Sequence, residues 1–100
     1  MPEHDSKIHA LQARLGASAI TCSGTATILA DQGTASPATV AWRQTTVLRL
    51  CVKDRWPERV RQCVATADHD PLSCTSFLET ADQRARWNAA FDKWIESAGK

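Results

Sequence analysis

The chain has 100 residues, a length that predicts one domain because two hydrophobic cores would need roughly twice as many. Apolar residues make up 43% and charged residues 23%, the proportions of an ordinary globular protein. The formal net charge of +1 offers no long-range field to a polyanion, so composition favours neither nucleic acid nor a membrane as partner.

No stretch reaches the roughly 18 apolar residues of a transmembrane helix, so we predict no membrane span. No signal peptide is recognisable either, because Pro, Glu, His and Asp follow Met1 and Arg14 interrupts the apolar positions of residues 8–20. The protein is therefore either cytoplasmic or an exported chain whose leader has been removed. The cysteine pattern favours the second interpretation.

The first predicted helix follows a polar segment, residues 1–7, that we expect to be disordered. From Ile8 onwards, Ile8, Leu11 and Leu15 recur at helical spacing. Gly16 is suited to the left-handed position that ends a helix. These features predict a short helix from Ile8 to Gly16.

Residues 17–30 are compatible with two structures. Their small and β-branched polar residues favour a strand, whereas the alanines and the pair Ile28 and Leu29 suit a closely packed helix. We favour the helix because it would bring Cys22 into the same bundle as the other three cysteines.

The next helix has a clear start at Ser36 and Pro37. Serine is a good N-cap acceptor, and proline fits the first helical position, where no amide donor is needed. A strand over residues 46–52 is the alternative, since apolar residues alternate there. The sequence Asp-Arg-Trp-Pro at 54–57 ends the helix, because the residue before a proline avoids helical torsion angles. The predicted apolar face consists of Val40, Ala41, Val47, Leu48, Cys51 and Val52.

Pro57 opens a further predicted helix, residues 58–67. The sequence Asp-His-Asp-Pro at 68–71 ends it, and a short helical turn over residues 72–78 follows. The apolar positions of the helix have the spacing i, i+3, i+4 and i+7, and they are Val60, Cys63, Val64 and Ala67.

The last predicted helix begins with a capping box from Thr80 to Gln83, in which each side chain satisfies a backbone amide. Gly99 ends it. One stripe of the helix is apolar and consists of Trp87, Phe91, Trp94, Ile95 and Ala98. Such a stripe is typical of a core, and a partner-binding face is the alternative.

Tryptophan supplies most of the aromatic surface, because the chain has four Trp, two Phe and no Tyr. We predict that the aromatic side chains anchor the core or form an interface. The full set is Trp42, Trp56, Phe77, Trp87, Phe91 and Trp94.

The four cysteines form an even set that permits three pairings. If helices 58–67 and 72–78 form a hairpin, Cys63 and Cys74 lie about equally far from the turn and can face each other, which leaves Cys22 for Cys51. This pairing is favoured. A bond between Cys51 and Cys63 across the turn at Pro57 remains an open alternative.

Metal binding and catalysis have weaker support. A zinc site assembled from Cys51, Cys63, His69 and Cys74 would lack the Cys-x2-Cys spacing that positions two thiolates together. The imidazole of His69 has flanking carboxylates, but adjacent residues in a turn rarely face one another, and no nucleophile lies in a glycine-rich elbow. We therefore predict neither an enzyme nor a cofactor.

Five cations gather around the predicted turn near Trp56, and acidic Asp54 and Glu58 are interleaved with them. A solvated face in which arginine stems cover Trp56 explains this cluster better than a nucleic-acid interface does. We therefore predict no nucleic acid as partner. The five cations are Arg49, Lys53, Arg55, Arg59 and Arg61.

A longer pattern spans the middle of the chain and consists of Cys51, Asp54, Trp56, Cys63, Cys74, Leu78 and Gln83. It resembles a short helical module of exported and lipoprotein-like proteins of myxobacteria. The resemblance covers roughly residues 40–90 and implies an all-helical, extracytoplasmic, disulfide-bearing module. It implies no chemical activity, and Cys22 lies outside it.

The sequence thus predicts an all-α domain over residues 1–100, a small bundle of four or five short helices stapled by two disulfides, with its helical module at 36–98. The predicted function is a non-catalytic structural or interaction module, periplasmic or extracellular, with a protein partner. The alternative is a cytoplasmic helical protein with reduced cysteines that binds a partner through the Trp87 stripe or coordinates zinc. A tryptophan exposed in the folded monomer would favour an interface.

Overall fold

The computed structural model describes the backbone of residues 2–32 and 35–98, and the side chains of residues 7–32 and 35–96. Its described residues contain helices and no strand, so the predicted all-α class, stapled by two disulfides, is confirmed. In chain order the elements are α1 (Pro2–Leu15), a first 3-10 helix (Gly16–Ile20), α2 (Cys22–Ala30), α3 (Pro37–Lys53), α4 (Glu58–Thr66), a second 3-10 helix (Pro71–Phe77) and α5 (Ala81–Ala98).

The predicted N-caps of α3 and α5 are confirmed, whereas Gly99, the predicted end of α5, lies outside the described residues. The Ser36 hydroxyl accepts a hydrogen bond from the Thr39 amide at 3.2 Å, and the Thr80 hydroxyl accepts one from the Gln83 amide at 3.0 Å. Gln83 reaches back as the capping box requires, but its Oε1 accepts from the Glu79 amide, one residue before the expected donor. Local sequence therefore determines where α3 and α5 begin.

Helix α1 begins at Pro2, six residues before the predicted start at Ile8. It ends as predicted, since Gly16 has a φ of +56°. The expected disorder of residues 1–7 stays a prediction. Met1 and the side chains of residues 2–6, which belong to this segment, lie outside the described residues.

Side chains of α1 tie it to the rest of the bundle. Ile8 and Leu11 are buried. Between them and the end of the helix, the Gln12 amide donates to the backbone oxygens of Val64 and Ala67 at 3.0 and 2.9 Å. Val64 lies in the last turn of α4 and Ala67 is the residue that follows the helix. Because carbonyl oxygens at a helix end have no amide of the helix to pair with, Gln12 acts as a C-cap supplied by another helix.

Helix α2 is the centre of the fold and packs against α1, α3, α4 and both 3-10 helices. The preference for a helix in residues 17–30 is confirmed, although Thr21 interrupts it and caps α2 by accepting from the Gly24 amide. Because α2 has neighbours on most sides, it has no polar stripe. Without that stripe the helical period is not visible in the sequence, which is then equally compatible with a strand. Its buried residues are Gly24, Thr25, Ala26, Ile28, Leu29 and Ala30.

Helix α3 confirms the helical prediction over the strand alternative, but its buried face differs from the predicted one. Val47 and Cys51 are buried as expected, whereas Leu48 and Val52 are 38% and 62% exposed. The buried stripe includes Arg43, a residue that an apolar-only pattern passes over. The face is decided by where α2 and α5 lie, because each covers one side of α3.

Helix α3 ends in a Schellman motif. Arg55 has a φ of +50°, the Trp56 amide donates to the Cys51 oxygen at 3.0 Å, and the Arg55 amide donates to the Val52 oxygen at 3.4 Å. The motif turns Trp56 into the core beside Cys51. An L-residue at the left-handed position is strained, and glycine is the residue that usually occupies it.

Arg55→Gly is therefore expected to raise the free energy of unfolding by about 0.5–1 kcal/mol, since relief of the strain outweighs the larger entropy of glycine in the unfolded chain. Urea unfolding followed by tryptophan fluorescence measures the change. The matched control is Arg49→Gly in the interior of α3, which we expect to lower stability by about 1 kcal/mol. A loss of stability in both variants would show that Arg55 is not strained.

An aromatic cluster joins α5 to the end of α3. The Trp56 and Trp87 rings meet edge to face at 5.6 Å, and Phe91 stacks on Trp87 at 5.5 Å. Trp56, Trp87 and Trp94 are buried and Phe91 is half-buried, so this part of the α5 stripe packs in the core, whereas Ile95 is 56% exposed. The side chain of Ala98, also predicted for the stripe, lies outside the described residues. Burial of several aromatic rings in one place is a large share of the apolar area in so small a core.

Two aromatic residues do not belong to the core. Trp42 is 40% exposed and Phe77 is 43% exposed, so of the two predicted roles, core anchor or interface, the core role does not apply to them. Phe77 ends the second 3-10 helix, and the Arg59 guanidinium lies over its ring at 5.6 Å. Trp42 lies on the side of α3 that faces α5, beside the groove described below.

Candidate functional site

The two disulfides connect neighbouring elements. Cys22 at the start of α2 is bonded to Cys51 near the end of α3, and Cys63 in α4 is bonded to Cys74 in the second 3-10 helix. The Cα atoms of the two pairs are 5.6 and 5.7 Å apart. The favoured pairing is thus the one that the structure contains, and the alternative bond between Cys51 and Cys63 is wrong.

The zinc alternative does not assemble in this structure. Cys51, Cys63 and Cys74 are distributed over two different disulfides, and His69 is exposed. Among the residues that the structure describes, no three His, Cys, Asp or Glu side chains are grouped so that they could hold a metal ion. The cysteines therefore serve as covalent links between helices.

The acidic turn around His69 is open to solvent. Asp68, His69 and Asp70 are all exposed, and Asp70 has a φ of +48°. His9 of α1 places its Nε2 3.7 Å from the Asp68 carboxylate, and both side chains are exposed. Contacts between exposed side chains of this kind contribute little to stability.

The predicted cation cluster is dispersed over several contacts. Arg61 donates to the backbone oxygens of Trp56 at 3.3 Å and Ile20 at 2.8 Å, which links α4 to the first 3-10 helix. Arg59 covers Phe77. Arg49 lines a groove between α3 and α5.

Arg43 is a buried cation that the sequence analysis missed. Its Nη1 donates to the backbone oxygens of Ala30 and Gln32 at 3.5 and 3.2 Å, and its guanidinium lies 4.8 Å from the Trp94 ring centre. Burial lowers the pKa of the Arg43 guanidinium, but arginine stays charged in proteins. The group thus compensates the negative end of α2. The sequence feature that indicates burial of Arg43 is its position one turn before Val47, on the same face of α3 as the buried residues.

Arg43→Met is expected to lower the free energy of unfolding by about 2–3 kcal/mol, because carbonyl oxygens at the end of α2 lose a charged donor. Urea unfolding of the full chain measures the loss. The matched control is Arg49→Met on the exposed side of the same helix, for which we expect a change within about 0.5 kcal/mol. Equal stabilities of the two variants would mean that desolvation of the guanidinium cancels its contacts.

A groove runs between α3 and α5, which are antiparallel. Arg43 meets Trp94 at one end, and Arg86 donates two hydrogen bonds of 2.9 and 3.0 Å to the Asp54 carboxylate at the other. The groove has a volume of about 340 Å³. Its uncharged lining consists of Trp42, Thr46, Leu50, Ala89 and Ala90.

The charged lining of the groove is cationic: Arg49, Arg86 and Lys93. The hydrogen bonds to Asp54 raise the pKa of the Arg86 guanidinium and hold it in place. A second hollow of about 300 Å³ continues past Trp42 and is lined by Ala38, Thr39, Trp42 and Lys93. Trp42 therefore stands between two concave surfaces with much of its ring exposed.

Residues of the predicted Cys-x-x-Asp-x-Trp pattern hold the groove together. The Gln83 amide donates to the Asp54 backbone oxygen at 2.7 Å, and the Asp54 carboxylate binds Arg86. Trp56 packs on Trp87. These contacts position the first half of α5 against the end of α3, so the pattern has a structural explanation within this chain.

Comparisons with protein-family models, with curated proteins and with solved structures find no match to the chain. No helix in the described part of the chain has the length and apolar character needed to cross a membrane. The two disulfides are a feature typical of proteins in oxidising compartments.

Proposed function

We propose that the chain is an exported, non-catalytic helical module that acts in the periplasm or outside the cell as a structural and interaction domain. The observation that carries the proposal is that all four cysteines are used in two disulfides between adjacent elements. Such bonds persist in oxidising compartments and are rare where thiols are kept reduced. The resemblance to exported myxobacterial modules leads to the same compartment.

The disulfides support a binding role by making one wall of the groove rigid. Cys22–Cys51 fastens α3 to the central helix α2, and Arg43 fastens the other end of α3 to the last residues of α2 and the loop after it. A wall that does not reorganise on binding loses less entropy when a partner is bound.

Trp42 supports a protein partner. It is 40% exposed and lines the groove between α3 and α5, and tryptophan is enriched in protein interfaces, where it often dominates the binding energy. The other three tryptophans are buried, so Trp42 is the one that a partner could contact.

The experiment that tests the compartment is thiol trapping in the cells that make the protein. Alkylation at the moment of lysis, followed by non-reducing peptide mapping, is expected to give the linked peptides Cys22–Cys51 and Cys63–Cys74. The control is the same chain produced in a reducing cytoplasm and trapped in the same way. Four alkylated thiols in the native cells would overturn the proposal.

A further inference from the structure

We infer that α3 pairs with α3 of a second copy of this chain, in antiparallel orientation, through the face that points away from its own bundle. The inference rests on the proposed role as an interaction module and names the partner as the protein itself. It is drawn from the spacing and exposure of the uncharged residues on that face and from the groups beside it.

The outer face of α3 carries a stripe of uncharged residues. Five of them recur at alternating spacings of three and four, the repeat that lets two helices pack along a seam. Thr45, in the middle of the stripe, lies roughly 160° around the helix axis from the buried Val47. All five are exposed, so the bundle itself does not cover them. We call this stripe the outer seam, and it consists of Ala38, Ala41, Thr45, Leu48 and Val52.

Exposed apolar surface is concentrated on this helix. Among the described residues five large apolar side chains are exposed, and three of them belong to α3. Leu48 and Val52 lie in the outer seam and are 38% and 62% exposed, and Trp42 lies beside it and is 40% exposed. Apolar side chains grouped on one exposed face mark an interaction surface.

The outer seam is complementary to itself about a twofold axis through its middle. Antiparallel pairing about that axis places Thr45 of each copy against Leu48 of the other, and Ala41 against Val52. Each contact thus joins a smaller side chain to a larger one, as close packing requires. The seam is about 21 Å long, because Ala38 and Val52 are fourteen residues apart and each residue adds about 1.5 Å.

The groups beside the outer seam favour the antiparallel orientation. Trp42 and Arg49 flank the same side of it, seven residues apart. Antiparallel pairing brings Arg49 of each copy to the Trp42 ring of the other, so two cation–π contacts form in the dimer. Arg49 is exposed and makes no ion pair with a described residue. A parallel pair would leave both Trp42 rings without a cation.

The association of the full, oxidised chain tests the inference. The seam is short, only two repeats of seven residues, so we expect a weak dimer with a Kd of roughly 0.05–0.5 mM. Sedimentation equilibrium at concentrations up to about 1 mM should show the mass rising from the 11.0 kDa of one chain towards twice that value. A mass that stays at one chain over this range would overturn the inference.

One variant with a matched control locates the interface. Thr45→Glu places two carboxylates close together at the twofold axis, and we expect it to weaken the dimer about tenfold or more. Gln62→Glu makes the same charge change at an exposed position of α4 and is expected to leave the Kd unchanged. Dimerisation that persists in Thr45→Glu, or that is lost equally in Gln62→Glu, would overturn the inference.

A double-mutant cycle tests the orientation. Arg49→Ala is expected to weaken the dimer about fivefold or more, because two cation–π contacts are lost together. In the background of Trp42→Ala the same substitution should have no effect, since the ring is already absent. Equal weakening by Arg49→Ala in both backgrounds would overturn the antiparallel pairing.

The disulfides separate this inference from the proposed function. A monomer at about 1 mM with both disulfides intact would overturn the pairing of α3 and leave the exported, stapled module in place. Four free thiols in the native cells together with a dimer through the outer seam would overturn the proposed compartment and support the pairing.

Discussion

Gly24→Ala is expected to destabilise the protein by about 2–3 kcal/mol or more, although alanine in a helix is normally favoured over glycine by about 1 kcal/mol. A Cβ atom at this position would collide with the Ser18 backbone oxygen and would lie 2.7 and 2.8 Å from the Cα and carbonyl carbon of Ala19. These are backbone atoms of the first 3-10 helix, so no side-chain rotation can make room. The two helices would have to separate at the centre of the fold.

Urea or thermal unfolding of Gly24→Ala measures this effect, and a loss of about 2 kcal/mol would lower Tm by roughly 8–16 °C in a domain of this size. The matched control is Gly16→Ala, where a Cβ meets no atom within 4 Å but φ is +56°. We expect a loss of about 1–2 kcal/mol there, caused by backbone strain alone. An increase in Tm for Gly24→Ala would show that the first 3-10 helix and α2 are not in close contact.

Removal of the Cys22–Cys51 disulfide by substituting both residues with alanine has the other large expected effect. The bond closes a loop with a sequence separation of 29, against 11 for Cys63–Cys74. The loop-entropy relation then gives losses of about 3.6 kcal/mol for the first bond and about 2.8 kcal/mol for the second. Each loss is a large fraction of the total stability of a small domain.

Urea unfolding of the two double variants, Cys22→Ala/Cys51→Ala and Cys63→Ala/Cys74→Ala, tests the order of these losses. Tryptophan fluorescence is a suitable signal because Trp56, Trp87 and Trp94 are buried. Wild-type protein treated with reductant is the control and is expected to be less stable than either variant. If Cys63→Ala/Cys74→Ala is less stable than Cys22→Ala/Cys51→Ala, packing around the Cys63–Cys74 bond contributes more to stability than the length of the closed loop does.

Local features of the sequence were sufficient to predict the ends of most helices. Ser36 and Thr80 cap α3 and α5 as expected, and Gly16 ends α1 in the left-handed conformation. Each of these depends on a side chain and amides within about three residues, so no distant neighbour is needed. Cys63 and Cys74 are bonded as predicted for a similar reason, since the two residues flank one short turn.

The residues of the candidate site could be predicted only in part. Trp42 belongs to the aromatic set predicted for core or interface, but which of the two roles it takes depends on how much of α3 the packed helices cover. Ala89 and Ala90 have no chemical signal in a sequence, because a small residue becomes a groove floor only when another helix stands beside it. Arg43 was passed over because its carbonyl partners belong to α2 and to the loop after it.

The sequence by itself determined the helical class, the helix caps and the supply of four cysteines for two bonds. Only the tertiary structure decided that α2 lies at the centre, that Leu48 and Val52 face outwards, and that a cationic groove forms beside Trp42. The physical reason is the range of the interactions. Caps and turns are hydrogen bonds between near neighbours in the chain, whereas burial depends on which surfaces meet after the helices have packed.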